Sequence, residues 1–283
     1  MLDTTGSTIS DFVAKAKCLE ATSFCMIFDL RSRSLQKKTD AAAMEYDVRK
    51  AEVAPMCTSY EPNPHERFAA HRLFQAPDFD YKREIYKDYT APIFRRGEGG
   101  WCTNPATFGM VPRKRIPAGV RPYDTMNARA ETIGERRSFS SAWTRLQLCL
   151  IPCRAFFEPN YESGKPVRWR INLASEQPTA IAGLWRAWEE PDGKASLSFT
   201  MLTVNADTHP LMRRFHKPGD EKRSVVVIRP EDYEDWLSCR SMDEARSFLQ
   251  LYRAEEMHAE AFPLPPRAPR AKPAGDDQPT LLD

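Results

Sequence analysis

The chain has 283 residues, with 41 lysines and arginines against 39 aspartates and glutamates, and 41% of its residues are hydrophobic. This composition fits one large or two small globular domains, and no apolar run reaches the roughly 18 residues that a membrane-spanning helix needs. No basic segment is followed by an apolar stretch of signal-peptide length, so we expect a cytoplasmic protein without a membrane partner. The formal net charge of +2 argues against binding of nucleic acid by bulk charge.

The two ends of the chain do not look like folded sequence. Residues 1–55 hold eight basic and eight acidic side chains and one short apolar patch, Phe24-Cys25-Met26-Ile27-Phe28. This is too little apolar material for a core, and the acidic residues do not fit an arginine-rich transit peptide. The other end is rich in proline and polar residues, which predicts a disordered tail over 263–283.

Strand signals lie in the middle of the chain, where short apolar or alternating runs are separated by turns. The turn signals Glu162-Ser-Gly-Lys and Pro191-Asp-Gly-Lys predict antiparallel hairpins between these runs. The predicted strands are residues 147–151, 167–171, 181–188, 197–204 and 224–228.

Two helix starts follow the last predicted strand. Pro230 precedes a run of acidic residues, which is typical of the first turn of a helix. Ser241 and Glu244 form a capping box that opens a helix ending near Arg253. Together these elements predict one mixed α+β domain over residues 56–262, with strands too short for a doubly wound sheet.

Cysteine spacing limits the possible metal and disulfide chemistry. The seven cysteines are irregularly placed, and none forms a Cys-x-x-Cys pair. This argues against a disulfide framework and a zinc ribbon, so we expect most of them to be small buried side chains. No metal or organic cofactor is implied, because no group of histidines and cysteines has the spacing of metal ligands.

The dipeptide Met56-Cys57 is informative because sequence typical of a folded domain begins there. With Met56 as an initiator that is removed, Cys57 carries an α-amine with a pKa of about 8 and a thiol with a pKa of about 8.5. The amine can form an imine with an aldehyde, and the thiolate can then close a five-membered thiazolidine ring. The alternative is that Cys57 is an ordinary internal thiol.

Five sequence blocks follow Cys57 in order. They are Phe108-Gly109-Met110-Val111-Pro112, Asn127-Ala128-Arg129-Ala130-Glu131-Thr132, the run from Cys149 to Glu158, Ala182-Gly183-Leu184-Trp185, and His216 after Thr203. Over residues 57–240 the series resembles the SOS-response-associated peptidase (SRAP) family, whose members begin Met-Cys and carry an Asn-Ala-Arg-x-Glu block and a late histidine. The resemblance implies an α+β domain with a mostly antiparallel, barrel-like β-sheet core and a few peripheral helices.

The resemblance also implies a role in DNA damage. In this family the N-terminal cysteine crosslinks to the ring-opened aldehyde of an abasic site in single-stranded DNA, and Cys57 takes that position here. The family's asparagine maps onto Asn127, which would hydrogen-bond the opened sugar. Its arginine maps onto Arg129, which would hold a flanking phosphate, and a salt-bridged core arginine is the alternative.

Two further residues map onto groups that move protons. The family's acid maps onto Glu158, which follows two aromatic residues that could exclude water and raise its pKa. The family's histidine maps onto His216, whose neutral form would be favoured by the charges of Arg213, Arg214 and Lys217. An ion-paired glutamate at a strand end and a structural histidine are the alternatives.

DNA contacts should come from small basic groups rather than from net charge. The candidates are Arg95-Arg96, Arg113-Lys114-Arg115 and Arg213-Arg214, each of which could equally be a solvated face. Phe108 stands where the family usually has tryptophan, and its ring could stack on a base or pack in the core. The partner implied is single-stranded DNA with abasic sites, bound by a monomer.

Several positions depart from the family pattern. The common opening Met-Cys-Gly-Arg is replaced by Cys57-Thr58-Ser59-Tyr60, so an arginine beside the nucleophile is missing. Pro159 follows Glu158 in place of tryptophan, and the segment before His216 is longer than in most members.

The largest departure is the extension of residues 1–55, because an internal Cys57 has its nitrogen in an amide and cannot form an imine. Three explanations stay open: translation begins at Met56, the extension is removed by proteolysis or self-cleavage, or this member has lost the activity. The low apolar content of the extension favours the first.

Two other functions compete with crosslinking. One is a cysteine-type autopeptidase that releases its own N-terminal segment, with Cys57 at the bond and Glu158 or His216 as the base. The other is a non-enzymatic binding module for single-stranded DNA, in which Cys57 is buried and unreactive. Crosslinking needs a free α-amine on Cys57, whereas the binding module tolerates the substitution Cys57→Ala.

Overall fold

A computed structural model of the chain describes residues 59–70, 75–175 and 179–265. The predicted extension, Cys57 and most of the predicted tail lie outside these ranges. The described strands are β1 (Ser59–Glu61), β2 (Ile85–Tyr86), β3 (Thr90–Gly97), β4 (Gly100–Phe108), β5 (Asn127–Arg129), β6 (Leu148–Cys153), β7 (Ala155–Asn160), β8 (Val167–Leu173), β9 (Thr179–Glu189), β10 (Ala195–Asn205), β11 (Arg223–Val225), β12 (Val227–Ile228) and β13 (Met257–Ala261). The described α-helices are α1 (Ser140–Thr144), α2 (Tyr233–Ser238) and α3 (Met242–Ser247), and none is long and apolar enough to cross a bilayer.

Five strands close into a barrel in the order β10-β4-β3-β6-β9, with β9 pairing back to β10. All the neighbours in this ring are antiparallel except β10 and β4, which run parallel with Phe199 opposite Phe108. Strands β5 and β11 add to β10, and β12 adds to β9. The closed ring leaves its five strands without a free edge.

A second sheet, in the order β13-β8-β7-β1-β2, is antiparallel throughout. Its Tyr60 and Phe156 share one hydrophobic core with Phe108, Phe199 and Met201 of the barrel strands. Burying this apolar surface between the sheet and the barrel is the main force that holds the two together.

The helices cover a second core on the other face of the barrel strands. Alternation along β10 shows the division, because Phe199 and Met201 face the first core whereas Leu202 and Val204 face the second. Trp236 of α2 packs in the second core, and its indole Nε1–H donates to the Cys149 carbonyl at 3.0 Å.

The predicted fold class, an α+β domain with a mostly antiparallel, barrel-like core and few helices, is confirmed. The predicted strands are present with ends within two residues of those predicted, except that residues 224–228 form two strands. The break falls at Val226, where the chain passes from β10, the partner of β11, to β9, the partner of β12.

The N-cap half of the predicted capping box is confirmed, since the Glu244 backbone N–H donates to Ser241 Oγ at 3.1 Å. The Glu244 carboxylate accepts from the backbone N–H of Arg240 at 2.7 Å. The predicted end of that helix is wrong, because α3 stops at Ser247. Beyond it Phe248 packs on Trp236 in the second core, while Tyr252 reaches the first core. In a continuous helix Phe248 and Tyr252, four residues apart, would lie on the same face and could not pack into different cores.

We expect Gly183→Ala to destabilise the fold by about 1–3 kcal/mol. A Cβ atom there would lie 2.7 Å from the Thr200 carbonyl oxygen and 2.9 Å from Cys149 Sγ, so strands β9 and β10 would have to separate. Urea unfolding measures the loss as a lower midpoint. Gly134→Ala is the matched control, because its Cβ would meet its nearest atom at 3.6 Å. Equal midpoints for the two variants would contradict the close approach at Gly183.

Candidate active site

Strand β7 carries Glu158 on its inward face. Residues two apart on a strand point the same way, so Glu158 lies on the same face as Phe156, which packs in the first core. Glu158 is 2% exposed and pairs across the sheet with Trp169 of β8. The sequence therefore places a carboxyl group at the edge of the core, away from bulk water.

The loop after β10 brings His216 to the end of β7. The backbone N–H of His216 donates to the Pro159 carbonyl at 2.8 Å, and the Asn160 side-chain amide donates to the Arg214 carbonyl at 3.1 Å. Phe215 also forms a β-bridge with Asn160. His216 has a φ of +63°, a left-handed conformation that non-glycine residues adopt where the surroundings fix it.

The two side chains meet, with His216 Nδ1 3.5 Å from Glu158 Oε2. The other ring nitrogen, Nε2, lies 3.0 Å from the Arg223 carbonyl oxygen. A carbonyl oxygen only accepts, so Nε2 bears the hydrogen and the lone pair of Nδ1 faces Glu158. The pair can therefore pass a proton between carboxyl and imidazole.

Burial lowers the pKa of His216 to about 4, and the positive charges of Lys222 and Arg223 act in the same direction. The expected direction is confirmed, but its cause differs. Burial dominates, and the cations are Lys222 and Arg223 rather than Arg213, Arg214 and Lys217. His216 is thus a neutral proton acceptor at neutral pH.

The amino end of β1 points along β7 toward Glu158. The two strands are antiparallel with Tyr60 opposite Phe156 and Glu61 opposite Ala155, so lower residue numbers on β1 correspond to higher ones on β7. Cys57 precedes Ser59, the first residue of β1, by two positions.

Strand β5 places Asn127 and Arg129 on one face. It runs parallel to β10 with Asn127 beside Met201, a residue of the first core, and Arg129 beside Thr203. Arg129 Nη1 is 2.7 Å from Glu221 Oε2. Asn127 thus lies on the sheet face that borders the first core, while Arg129 is ion-paired with Glu221.

Sequence reasoning missed a buried arginine behind this site. Arg223 is 2% exposed, and its guanidinium donates to Glu131 Oε2 at 2.8 Å, Glu221 Oε1 at 2.6 Å and the Thr203 carbonyl at 2.7 Å. Burial opposes ionisation of Glu131, yet the hydrogen bonds from Arg223 lower its pKa overall. The glutamate of the Asn-Ala-Arg-x-Glu block was the available signal for this arginine.

An open cleft of about 710 Å³ borders His216. Its other charged or polar wall residues are Tyr161, Glu162, Asp207, Arg213, Arg214 and Lys222. Arg214 donates two hydrogen bonds to Glu162, at 2.9 and 2.8 Å, and these lower the pKa of Glu162 to about 2. The cleft is large enough to admit part of a polymer, with cations on its walls.

The structure separates the predicted DNA-contact residues. Arg213 and Arg214 line this cleft. Arg95 lies instead over Trp185 and donates to Asn104, and Arg113 is exposed beside Lys114 and Arg115, which pair with Glu190.

The stacking role of Phe108 needs correction, because the ring is fully buried between Phe199 at 5.1 Å and Tyr60 at 5.5 Å. No face of the ring is left for a base, and its core role is the one observed. In the described part of the chain, no three His, Cys, Asp or Glu side chains form a group that could hold a metal ion.

Comparison with known proteins gives a consistent result. Residues 32–263 match the sequence model of the family described as "SOS response associated peptidase (SRAP)". Abasic site processing protein YoqW of Bacillus subtilis is 31% identical over 140 residues, and YobE of the same organism is 30% identical over 140 residues. These alignments cover 48% of this chain, and the chain spans only 59% of YoqW and 60% of YobE.

Solved structures share the fold. A protein from Bordetella bronchiseptica is 34% identical with a TM-score of 0.65, over 74% of this chain and 100% of the other. A Bacteroides thetaiotaomicron protein is 21% identical with a TM-score of 0.58, over 72% of this chain and 91% of the other. The second similarity concerns the fold alone.

We predict that stability falls as the pH drops from about 6.5 toward 4. In this window the unfolded chain protonates His216 while the folded chain keeps it neutral, so acid favours unfolding by up to about 3 kcal/mol. Urea unfolding across this pH range measures the slope. His216→Gln should flatten it, whereas His258→Gln, at an exposed position, should leave it unchanged. The same slope in wild type and His216→Gln would contradict a buried neutral histidine.

Proposed function

The chain belongs to the SOS response associated peptidase (SRAP) family, and we propose that it acts on DNA damage by crosslinking Cys57 to abasic sites in single-stranded DNA. The observation that carries this proposal is the buried Glu158–His216 pair, toward which the amino end of β1 runs. The abasic site processing proteins that resemble the chain support the substrate class.

The proposed reaction begins on the open-chain aldehyde of the lesion. The α-amine of Cys57 adds to the aldehyde carbon, and the carbinolamine loses water to give an imine. The sulfur then bonds to the same carbon while the imine nitrogen takes up the proton from the thiol. The product is a thiazolidine ring that shields the lesion.

The site residues divide the proton transfers between them. Neutral His216 accepts a proton at Nδ1, and the Glu158 carboxyl delivers one to the ring oxygen of the sugar or to the leaving hydroxyl. Asn127 would hydrogen-bond the opened sugar, and Arg129 would bind the phosphate beside it. Glu158 lies where water is excluded, which favours transfer to the substrate over loss to solvent.

The reaction needs a free α-amine, so we propose that the working form begins at Cys57. Of the predicted domain 56–262, residues 57–262 then form the working domain, which acts as a monomer in the cytoplasm and on the nucleoid. Translation from Met56 or removal of residues 1–55 would both produce this form. The family match begins at residue 32, so it includes the second half of that extension.

The word peptidase in the family description favours a second candidate function. Cys57 would act at the 56/57 bond, with Glu158 or His216 as the base, and release its own N-terminal segment. Intact mass spectrometry detects this as loss of the mass of residues 1–56, which Glu158→Gln should slow. Such a cleavage would also generate the amine that crosslinking needs.

We predict that a chain starting at Met56 gives a heat-stable shifted band with an oligonucleotide carrying one abasic site, on a denaturing gel. The full chain should give none unless its extension is removed, because an amide nitrogen cannot form an imine. Prior reduction of the aldehyde with borohydride should abolish the band. No band for either chain, with circular dichroism showing both folded, would refute crosslinking and leave a binding module.

Substitutions at Cys57 separate the roles of sulfur and nitrogen in the chain that starts at Met56. Cys57→Ser keeps the amine and should give only an imine trapped by cyanoborohydride, without a stable ring. Cys57→Ala should behave in the same way, because both variants lack sulfur. A heat-stable crosslink formed by either variant without a reductant would contradict the mechanism.

We predict that Asn127→Ala and Glu158→Gln each slow crosslinking by about 10²-fold or more while binding of undamaged DNA changes little. Both residues act on the opened sugar, which undamaged DNA lacks. Single-turnover crosslinking and fluorescence anisotropy measure the two properties separately. Equal losses in both assays would show that the residues are structural.

A further inference from the structure

Two arginines at the candidate DNA surface, Arg214 and Arg129, are already bound to carboxylates. Glu162 accepts two hydrogen bonds from Arg214, through Nε and one terminal nitrogen, on the wall of the cleft that His216 also lines. Glu221 pairs with Arg129 at 2.7 Å. These are surface pairs, with side-chain exposures of 36% for Arg214 and 52% for Glu162.

The geometry of the Arg214 pair is the geometry that a phosphate needs. A guanidinium binds carboxylate and phosphate through the same fork of parallel N–H groups, so the two ligands exclude each other at one edge. Arg214 cannot turn away easily, because its guanidinium lies 5.0 Å over the ring of Trp169. DNA must therefore displace Glu162 to bind a phosphate at the Nε edge of Arg214.

We propose that Glu162 and Glu221 occupy the phosphate positions of Arg214 and Arg129 when DNA is absent and so weaken the binding of undamaged single-stranded DNA. The inference rests on the proposed function in one respect, namely that DNA enters this cleft. A passing strand then gains little from the cations and is released. A strand with an abasic site is retained by its covalent bond.

The test is the affinity of the full chain for a fluorescent, undamaged single-stranded oligonucleotide, measured by anisotropy at low and moderate salt. Glu162→Gln should raise the affinity about threefold to tenfold at low salt, because it frees the Arg214 fork and removes a negative charge. The dependence on salt should steepen, since one more phosphate contact releases one more counterion.

Glu256→Gln is the matched control. Glu256 accepts two hydrogen bonds from Arg229, at 3.0 and 3.1 Å, with side-chain exposures of 34% and 36%, and neither residue lines the cleft. The control makes the same change of charge and should leave the affinity unchanged. An equal rise in Glu162→Gln and Glu256→Gln would overturn the proposal, because net charge alone would then explain the effect.

A double-mutant cycle assigns the effect to Arg214. In an Arg214→Gln background, Glu162→Gln should raise the affinity much less than in wild type, because no fork is released. The Glu221→Gln variant tests the Arg129 pair in the same way. Because Glu221 also accepts a hydrogen bond from the buried Arg223, a thermal melt must show that this variant is still folded. Unchanged affinity in Glu162→Gln would overturn the proposal.

The crosslinking assay keeps this inference separate from the proposed function. Crosslinking by the Met56 chain together with unchanged affinity in Glu162→Gln would leave the function and overturn the inference. Tighter binding by Glu162→Gln without any crosslink would overturn the function and support the carboxylate competition.

Discussion

The backbone N–H of His216 donates to the Pro159 carbonyl at 2.8 Å, and the placement of the candidate site depends on this hydrogen bond. Glu158 is held by β7 between two strands, whereas His216 lies on a loop and in a left-handed conformation that costs about 1–3 kcal/mol. The bonds from His216 to Pro159 and Arg223 offset that cost and leave one orientation for the imidazole. The loop contacts therefore convert a flexible histidine into a partner of fixed geometry for Glu158.

Hydrogen bonds of Arg223 connect the barrel strands to the candidate site. A buried guanidinium is tolerated only when its charge and its hydrogen bonds are satisfied, and the partners of Arg223 come from three chain segments. Glu131 follows β5, Thr203 lies on β10, and Glu221 precedes β11. Satisfying the one charge fixes these segments relative to each other. The same residue's carbonyl accepts from the imidazole of His216, so the ion network and the site form a single unit.

Pattern and motif predicted different parts of this molecule. Apolar runs and turn signals predicted the strands that contain Phe199 and Leu184. Strands β3 and β4 were missed because each contains a proline, Pro92 and Pro105. Proline usually excludes a run from the interior of a sheet, because it has no backbone N–H to donate. Here Pro92 and Pro105 lie opposite each other in the β3–β4 pair, so both missing N–H donors fall at the same position of the sheet. The contact of Glu158 with His216 joins residues far apart in the chain. Sequence periodicity carries no information on this contact, and only the motifs shared with the family identified Glu158 and His216 as candidates.

Charge and covalent chemistry complement each other in this arrangement. A DNA-binding surface usually gains affinity from free cations, yet three arginines near the site, Arg129, Arg214 and Arg223, hold carboxylates. A formal charge of +2 agrees with such pairing. A protein that binds its target through a covalent bond does not need strong electrostatic affinity, and strong affinity would detain it on the excess of intact strands. Under the proposed crosslinking function, selectivity would lie in the aldehyde, which only the lesion offers and on which the buried Glu158–His216 pair would act.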